Sequence, residues 1–196
     1  MFAPGAAFGA RSLVVAGVDA PADGGRRRNL AAVYVPDGTV LTYSKQHMVP
    51  GLEAEYLPGH EPLITGRFGV AICKDMDFAA TIRAYGRRDV GLIMVPAWDF
   101  NGDRYLHGRM AVVRAVENGF ALARSASQGL MTVTDSHGRI VAEAATRQGP
   151  ATVAADVPLG AGHTVYSRIG DALAQGLVAV WIGLWGLLIW RRKEST

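Results

Sequence analysis

Two side chains in this sequence have the chemistry of a catalytic pair and stand in matching places. Cys73 is the chain's one cysteine. It ends an apolar run, Val70-Ala71-Ile72, and Lys74, Asp75 and Asp77 follow within the stretch FGVAICKDMDF. A thiol where a strand gives way to charge has two readings. It is a small core residue, or a nucleophile at a strand end, where the backbone turns and ligands can reach it. Lys45, in YSKQHMVPG, likewise stands just past a β-like run. Alone it reads as a solvated surface lysine. Beside Cys73 it reads as an ammonium that favours the thiolate and later stabilises an oxyanion. Two such strand ends predict one shared pocket at one sheet edge, with the backbone N–H of Lys74 as the natural second oxyanion donor.

Other chemistries find less to work with. One cysteine forms neither an internal disulfide nor a thiolate metal cluster. The five histidines, His47, His60, His107, His137 and His163, show no pairing at ligand spacing, so neither a metal site nor a cofactor is expected. Glu53 and Glu55, taken alone, read as loop charges. The net charge is +3, from scattered clusters such as Arg26-Arg27-Arg28 and Arg87-Arg88. No aromatic residues interleave with them as a single-strand binder requires, so nucleic acid is not an expected partner.

The elements that must position Cys73 and Lys45 follow from periodicity and turn signals. β-like runs recur at 12–18, 30–35, 40–44, 68–73, 91–97, 120–126, 130–135, 139–145 and 151–157. The PDG at 36–38 and the SHG at 136–138 are turn signals, the second joining two strands as a hairpin. The segment 18–29, VDAPADGGRRRN, reads as a polar loop. Helices are predicted over Phe78–Arg87 and over Arg104–Asn118, where Leu106, Met110, Val113 and Ala115 to Val116 form an apolar face and Gly119 is the stop. Strands and helices alternate and then give way to a run of strands, which predicts an α/β sandwich with a partly antiparallel sheet.

At 196 residues the chain has room for one sizeable core. Its 49% apolar content exceeds what that core needs, and the excess sits between Ala172 and Trp190. ALAQGLVAVWIGLWGLLIW carries no charge, and as a helix it spans about 28 Å, near the thickness of a bilayer's hydrocarbon. Trp190 with the closing Arg191-Arg192-Lys193 is a membrane-end signature and predicts a cytoplasmic C-terminus. A buried core helix is the alternative. The opening MFAPGAAFGAR has no basic region leading into an apolar core and does not read as a signal peptide.

The blocks YSKQHMVPGLEAEYLP, GVAICKDMDF, VPAWDF and RAVENGFALARSASQG occur in the order and spacing of the nitrilase (carbon–nitrogen hydrolase) superfamily. The chain most resembles the C-terminal part of its bacterial apolipoprotein N-acyltransferase branch. The resemblance runs from about Ser12 to Arg168 and on into the terminal helix. It implies a nitrilase-like αββα sandwich over 1–169, a transmembrane helix over 170–190 and a cytoplasmic basic tail over 191–196. It implies further that Cys73 is a nucleophile forming a thioester, that Lys45 is its catalytic lysine, and that Glu53 is a second glutamate near the catalytic site. Lys74 and Asp75 fall at oxyanion and substrate-binding positions, and Trp98 falls beside the acyl pocket. Arg114 and Glu117 correspond to a structural helix end.

The implied reaction moves an acyl chain from phospholipid to a lipoprotein N-terminal amine, with the globular domain on the periplasmic side of a bacterial inner membrane. The alternatives are a nitrilase-type amidase acting on a small amide, and an inactive fragment or subunit of a split enzyme. The last arises because the family's general-base glutamate precedes the lysine by a long interval, whereas no glutamate lies between Met1 and Lys45. The resemblance therefore also implies an N-terminally truncated sandwich, completed by a missing segment or a separate subunit, and a poor catalyst when alone.

Overall fold

The computed structural model describes residues 12–99 and 102–194. In chain order its elements are β1 (Val14–Pro21), β2 (Arg27–Tyr34), β3 (Val40–Ser44), β4 (Leu63–Thr65), β5 (Phe68–Val70), α1 (Ala79–Gly86), β6 (Leu92–Trp98), α2 (Arg104–Asn118), β7 (Ala121–Ser127), β8 (Leu130–Thr134), β9 (Ile140–Ala145), α3 (Val165–Ile169) and α4 (Ala172–Glu194). The opening stretch to Arg11 and the end of the basic tail lie outside the described residues.

The strands form two sheets. β1, β2 and β3 make an antiparallel three-stranded sheet, and β4 to β9 make a six-stranded one in sequence order. Within the larger sheet β5, β6 and β7 are parallel and the outer pairs antiparallel. The parallel strands are linked through α1 and α2, as parallel pairing requires a crossover. β6 shows the alternation that builds the layers. Ile93 and Val95 join Ile82 and Tyr85 of α1 and Ala111 and Ala115 of α2 in one core cluster. Met94, between them, packs on the other face with Ala31, Val33 and Tyr43 of the smaller sheet and with Val70 and Ile72. Helices, large sheet and small sheet thus stack in order, an open αββα-like sandwich.

Several expectations are revised. The segment 18–29 is not a loop: β1 runs to Pro21 and β2 begins at Arg27, joined by a 3-10 turn over Asp23–Gly25. Gly24 and Gly25 take positive φ there, which a residue without a Cβ does at low cost. The run 68–73 forms a strand only to Val70, after which Cys73–Asp77 winds into a 3-10 turn. The run 151–157 is not a strand. The chain after it is drawn instead to the base of the large sheet, where Gly160 N–H donates to Gly91 O at 2.8 Å and Gly162 N–H to Gly119 O at 3.0 Å. β4, too short to read from pattern, was not expected.

α2 occupies the expected residues, and Gly119 ends it in the left-handed conformation with φ 73°. The expected apolar face is not the buried one: Leu106, Val113 and Val116 are exposed, and the helix packs on the large sheet through the small residues Gly108, Ala111 and Ala115, with Asn118. α4 is long and apolar enough to cross a membrane by length and composition: Ala172–Arg191 has mean hydropathy 2.0 and none of it is buried. It packs into neither core of the described domain.

Candidate active site

Lys45 follows β3 directly, and its backbone is fixed from both sides: its N–H donates to Asn29 O of β2, and its carbonyl accepts from Gly59 N–H. The side chain is 2% exposed. A lysine so buried needs a counter-charge, and Glu53 supplies it, with Lys45 Nζ donating to Glu53 Oε2 at 2.6 Å. The interval between the two residues is closed by a turn in which Glu53 N–H donates to Val49 O and Val49 N–H returns to Glu53 Oε2 at 2.6 Å. Asn29 Nδ2 donates to the other oxygen at 2.8 Å. Burial opposes ionising Glu53, but the Lys45 ammonium, the Val49 N–H and the Asn29 amide outweigh it and hold the carboxyl below its usual range.

Cys73 opens the 3-10 turn beyond β5 with φ 45°, a left-handed conformation that non-glycine residues seldom adopt. Its Sγ lies 3.6 Å from Trp98 O at the end of β6. Cys73 and Trp98 therefore stand at the carboxyl ends of neighbouring parallel strands, where open α/β sheets place their ligands. Burial pushes the thiol pKa up; Lys45, the Trp98 contact and Arg124 work against that rise, and Asp99 adds to it. Arg124 and Asp99 are themselves a buried pair, joined by Arg124 Nη1 to Asp99 Oδ2 at 2.9 Å and Nη2 to Oδ1 at 2.5 Å.

A cavity of about 480 Å³ opens between the two sheets, and Lys45, Glu53, Cys73 and Trp98 line it together. Val18, Val49, Leu52 and Pro96 make much of the remaining wall apolar. Trp98 is 63% exposed, a large apolar surface at a site where a ligand would cover it. The other two expected residues lie off this cavity. The Lys74 ammonium turns to Asp77 Oδ2 at 3.0 Å. The Asp75 side chain is fully buried and is taken up by backbone and tyrosine donors, so it is placed to hold structure and not to touch a substrate.

The cavity also holds a carboxylate from the segment expected to be a loop. Asp19 lines the cavity from β1, held by Arg27 Nε at 2.9 Å and Nη2 at 2.5 Å and by Tyr56 OH at 3.1 Å. The Arg27 guanidinium holds its carboxyl below the usual range. Asp19 stands opposite Asn29 and diagonal to Arg27, a placement hidden while 18–29 reads as a loop. Among the described residues no group of three or more His, Cys, Asp or Glu side chains is arranged to hold a metal ion.

Fold and cavity are those of a cysteine-bearing α/β sandwich, and comparison with known proteins identifies the class. The carbon–nitrogen hydrolase family model matches residues 6–165, and the chain belongs to that family. Apolipoprotein N-acyltransferase of Geobacter metallireducens is 34% identical over 154 residues, covering 74% of this chain and 29% of that protein. The protein of the same name from Bradyrhizobium diazoefficiens is 29% identical over 201 residues, covering 87% and 36%. The chain thus spans about a third of the length of these relatives. Among solved structures, the NitN amidase from Nesterenkonia sp. AN1 superposes with a TM-score of 0.62 at 26% identity, covering 69% of this chain and 61% of the amidase. A glutamate-to-glutamine variant of that amidase carries the acetamide moiety of fluoroacetamide covalently at its active-site cysteine.

Proposed function

We propose that the chain performs cysteine-dependent chemistry at carbon–nitrogen bonds, with Cys73 as nucleophile and amide hydrolysis as the leading activity. The observation that carries this reading is the chain's one thiol standing on the same cavity wall as a buried lysine–glutamate pair. The fluoroacetamide adduct at the cysteine of the Nesterenkonia amidase supports it.

In this reading the Cys73 sulfur attacks the amide carbon. The C–S bond forms as the C=O π bond opens, and the resulting oxyanion is stabilised by the Lys45 charge. Lys45 as an ammonium has no lone pair to accept the thiol proton. The thiol proton passes to the leaving nitrogen as the C–N bond breaks. Water then attacks the thioester: the C–O bond forms, the C–S bond breaks, the carboxylic acid leaves and one water proton returns to the sulfur.

A second reading is favoured by α4 and by the named N-acyltransferase relatives. Here α4 anchors the domain in a bilayer, the acyl donor is a phospholipid, and an amine replaces water as acceptor. Trp98 and Leu52 would then lie along the acyl chain. Periplasmic placement of the domain and cytoplasmic placement of the basic tail belong to this reading.

Intact-mass spectrometry after incubation with fluoroacetamide tests the nucleophile: a single adduct on wild type and none on Cys73→Ala is expected, and equal labelling of both sinks the assignment. Supplying short-chain amides, then phospholipid vesicles with a lipopeptide amine, separates the readings by product. Ammonia release marks the amidase, and N-acylated peptide marks the transferase.

A further inference from the structure

We propose that Asp75 is a positioning residue: its carboxylate ties the segment that carries Lys45 to the turn that carries Cys73, and holds Cys73 in its left-handed conformation. The inference rests on Cys73 and Lys45 acting together as read above. Asp75 has no solvent exposure and is not part of the cavity lining.

Each of its oxygens bonds two donors, and the donors come from both segments. Oδ1 accepts from Gln46 N–H at 3.1 Å and His47 N–H at 2.8 Å, the two peptides that follow Lys45. Oδ2 accepts from Tyr43 OH at 2.8 Å, on β3, and from Ile72 N–H at 3.0 Å, the residue before Cys73. The backbone of Asp75 closes the turn from the other side, its N–H donating to Ile72 O at 3.0 Å. Ile72 is thus gripped at both its N–H and its carbonyl by one residue, with Cys73 inside the loop so formed.

A left-handed non-glycine residue persists only where its surroundings over-determine it, at a cost of about 1–3 kcal/mol. Those bonds supply the determination. The Lys45 segment has a second anchor on the same structure: the His47 ring stacks on Phe78 at 3.6 Å, and its Nε2 meets Thr81 Oγ1 at 2.7 Å. Phe78 and Thr81 follow the Cys73 turn directly, so both anchors join the same two segments. Three of the four donors to Asp75 are backbone N–H groups, which cannot turn round to accept. An amide at this position would therefore set an N–H against an N–H on one side or the other.

A double-mutant cycle on the full chain reads the coupling. Cys73 is the only thiol, so the rate of iodoacetamide alkylation against pH reports its environment alone. At about pH 8, Lys45→Met should slow alkylation roughly tenfold by removing the charge that favours the thiolate. Asp75→Asn should slow it by a similar factor while circular dichroism shows a folded protein. In the Asp75→Asn background, Lys45→Met should add less than about twofold, because the ammonium is no longer held against the sulfur. Fully additive effects overturn the proposal, as does an Asp75→Asn protein that melts earlier yet keeps the wild-type pH profile.

If Asp75→Asn does not fold, Tyr43→Phe, which removes one donor and keeps the ring, carries the test. A slowed, right-shifted profile supports the proposal and an unchanged one overturns it. Alkylation needs no substrate, which separates this inference from the proposed reaction. A wild type with a Lys45-dependent profile and no acyl adduct would end the acyl chemistry and leave the positioning role standing.

Discussion

At the residue scale the site is a set of buried charges, each held by a named partner, and the penalties for breaking them differ. Asp99 has no exposure, and Arg124 is its counter-charge, also donating to Leu130 O at 2.9 Å. Arg124→Met should destabilise the fold by about 3–5 kcal/mol, because it strands a buried carboxylate; urea unfolding measures it. A loss within a few tenths of a kcal/mol would mean that water reaches Asp99. Glu53 gives a pH signature. Its carboxyl is held below the 4.5 of an ordinary glutamate, so the folded state binds the proton less tightly than the unfolded one. The stabilisation is therefore fully present above about pH 4.5 and fades as the pH falls through the lowered value. Glu53→Gln should flatten that part of the stability profile, and an unchanged acid limb would show that the Glu53 carboxylate does not contribute to it. The pair itself was legible in sequence only through the family blocks, since a lysine and a glutamate eight positions apart have no local reason to meet. Their meeting depends on the Val49 turn and on Asn29 from another strand.

At the element scale, what could be read was what local pattern decides. β3 and α2 fall at the expected residues, and Gly119 terminates α2, but the face α2 buries is its small-residue one, Gly108, Ala111 and Ala115, while Leu106, Val113 and Val116 face solvent. What could not be read was decided by distant backbone partners. The segment 18–29 is a hairpin because its backbone pairs in continuous register, from Val18 with Leu30 to Pro21 with Arg27, with Asp19 and Arg27 bridging on the exposed side. The run 151–157 has strand composition, but the chain that follows bonds to Gly91 and Gly119, far away in sequence. The strand into Cys73 stops early because Asp75 takes the Ile72 N–H. The turn between β7 and β8 shows how tightly the elements behind the cavity are stacked. A Cβ on Gly129 would fall 1.9 Å from Asp99 Oδ2 and 2.9 Å from Asp99 Cβ. Gly129→Ala should therefore push Asp99 away from Arg124, costing about 1–3 kcal/mol in stability and disturbing Trp98 beside it. Thermal melting with tryptophan fluorescence would register both, and a neutral substitution would place more room at that turn than the packing allows.

At the scale of the whole molecule, a domain with two apolar cores carries a helix that packs against neither. α4 is hydrophobic on every side, and in water it would be an aggregation liability. The chain should co-float with phospholipid vesicles through a sucrose gradient, and a chain ending before Ala172 should stay at the bottom. Flotation of both would move the membrane affinity to the domain itself. The junction below α4 is short and closely held. Arg87 donates to Ser167 O at 3.0 Å and to Arg168 O at 3.2 Å, Thr164 caps α3, and Gly170 lies against the Arg83 guanidinium, with no room for a Cβ. With α4 in a bilayer, the domain would be confined to that surface, and a donor dissolved in the same bilayer would reach the cavity by lateral diffusion. If the donor is a phospholipid, as the second reading proposes, its turnover should obey surface-dilution kinetics: mixing inert lipid into the vesicles at constant total donor should slow the reaction, although the donor's bulk concentration never changes.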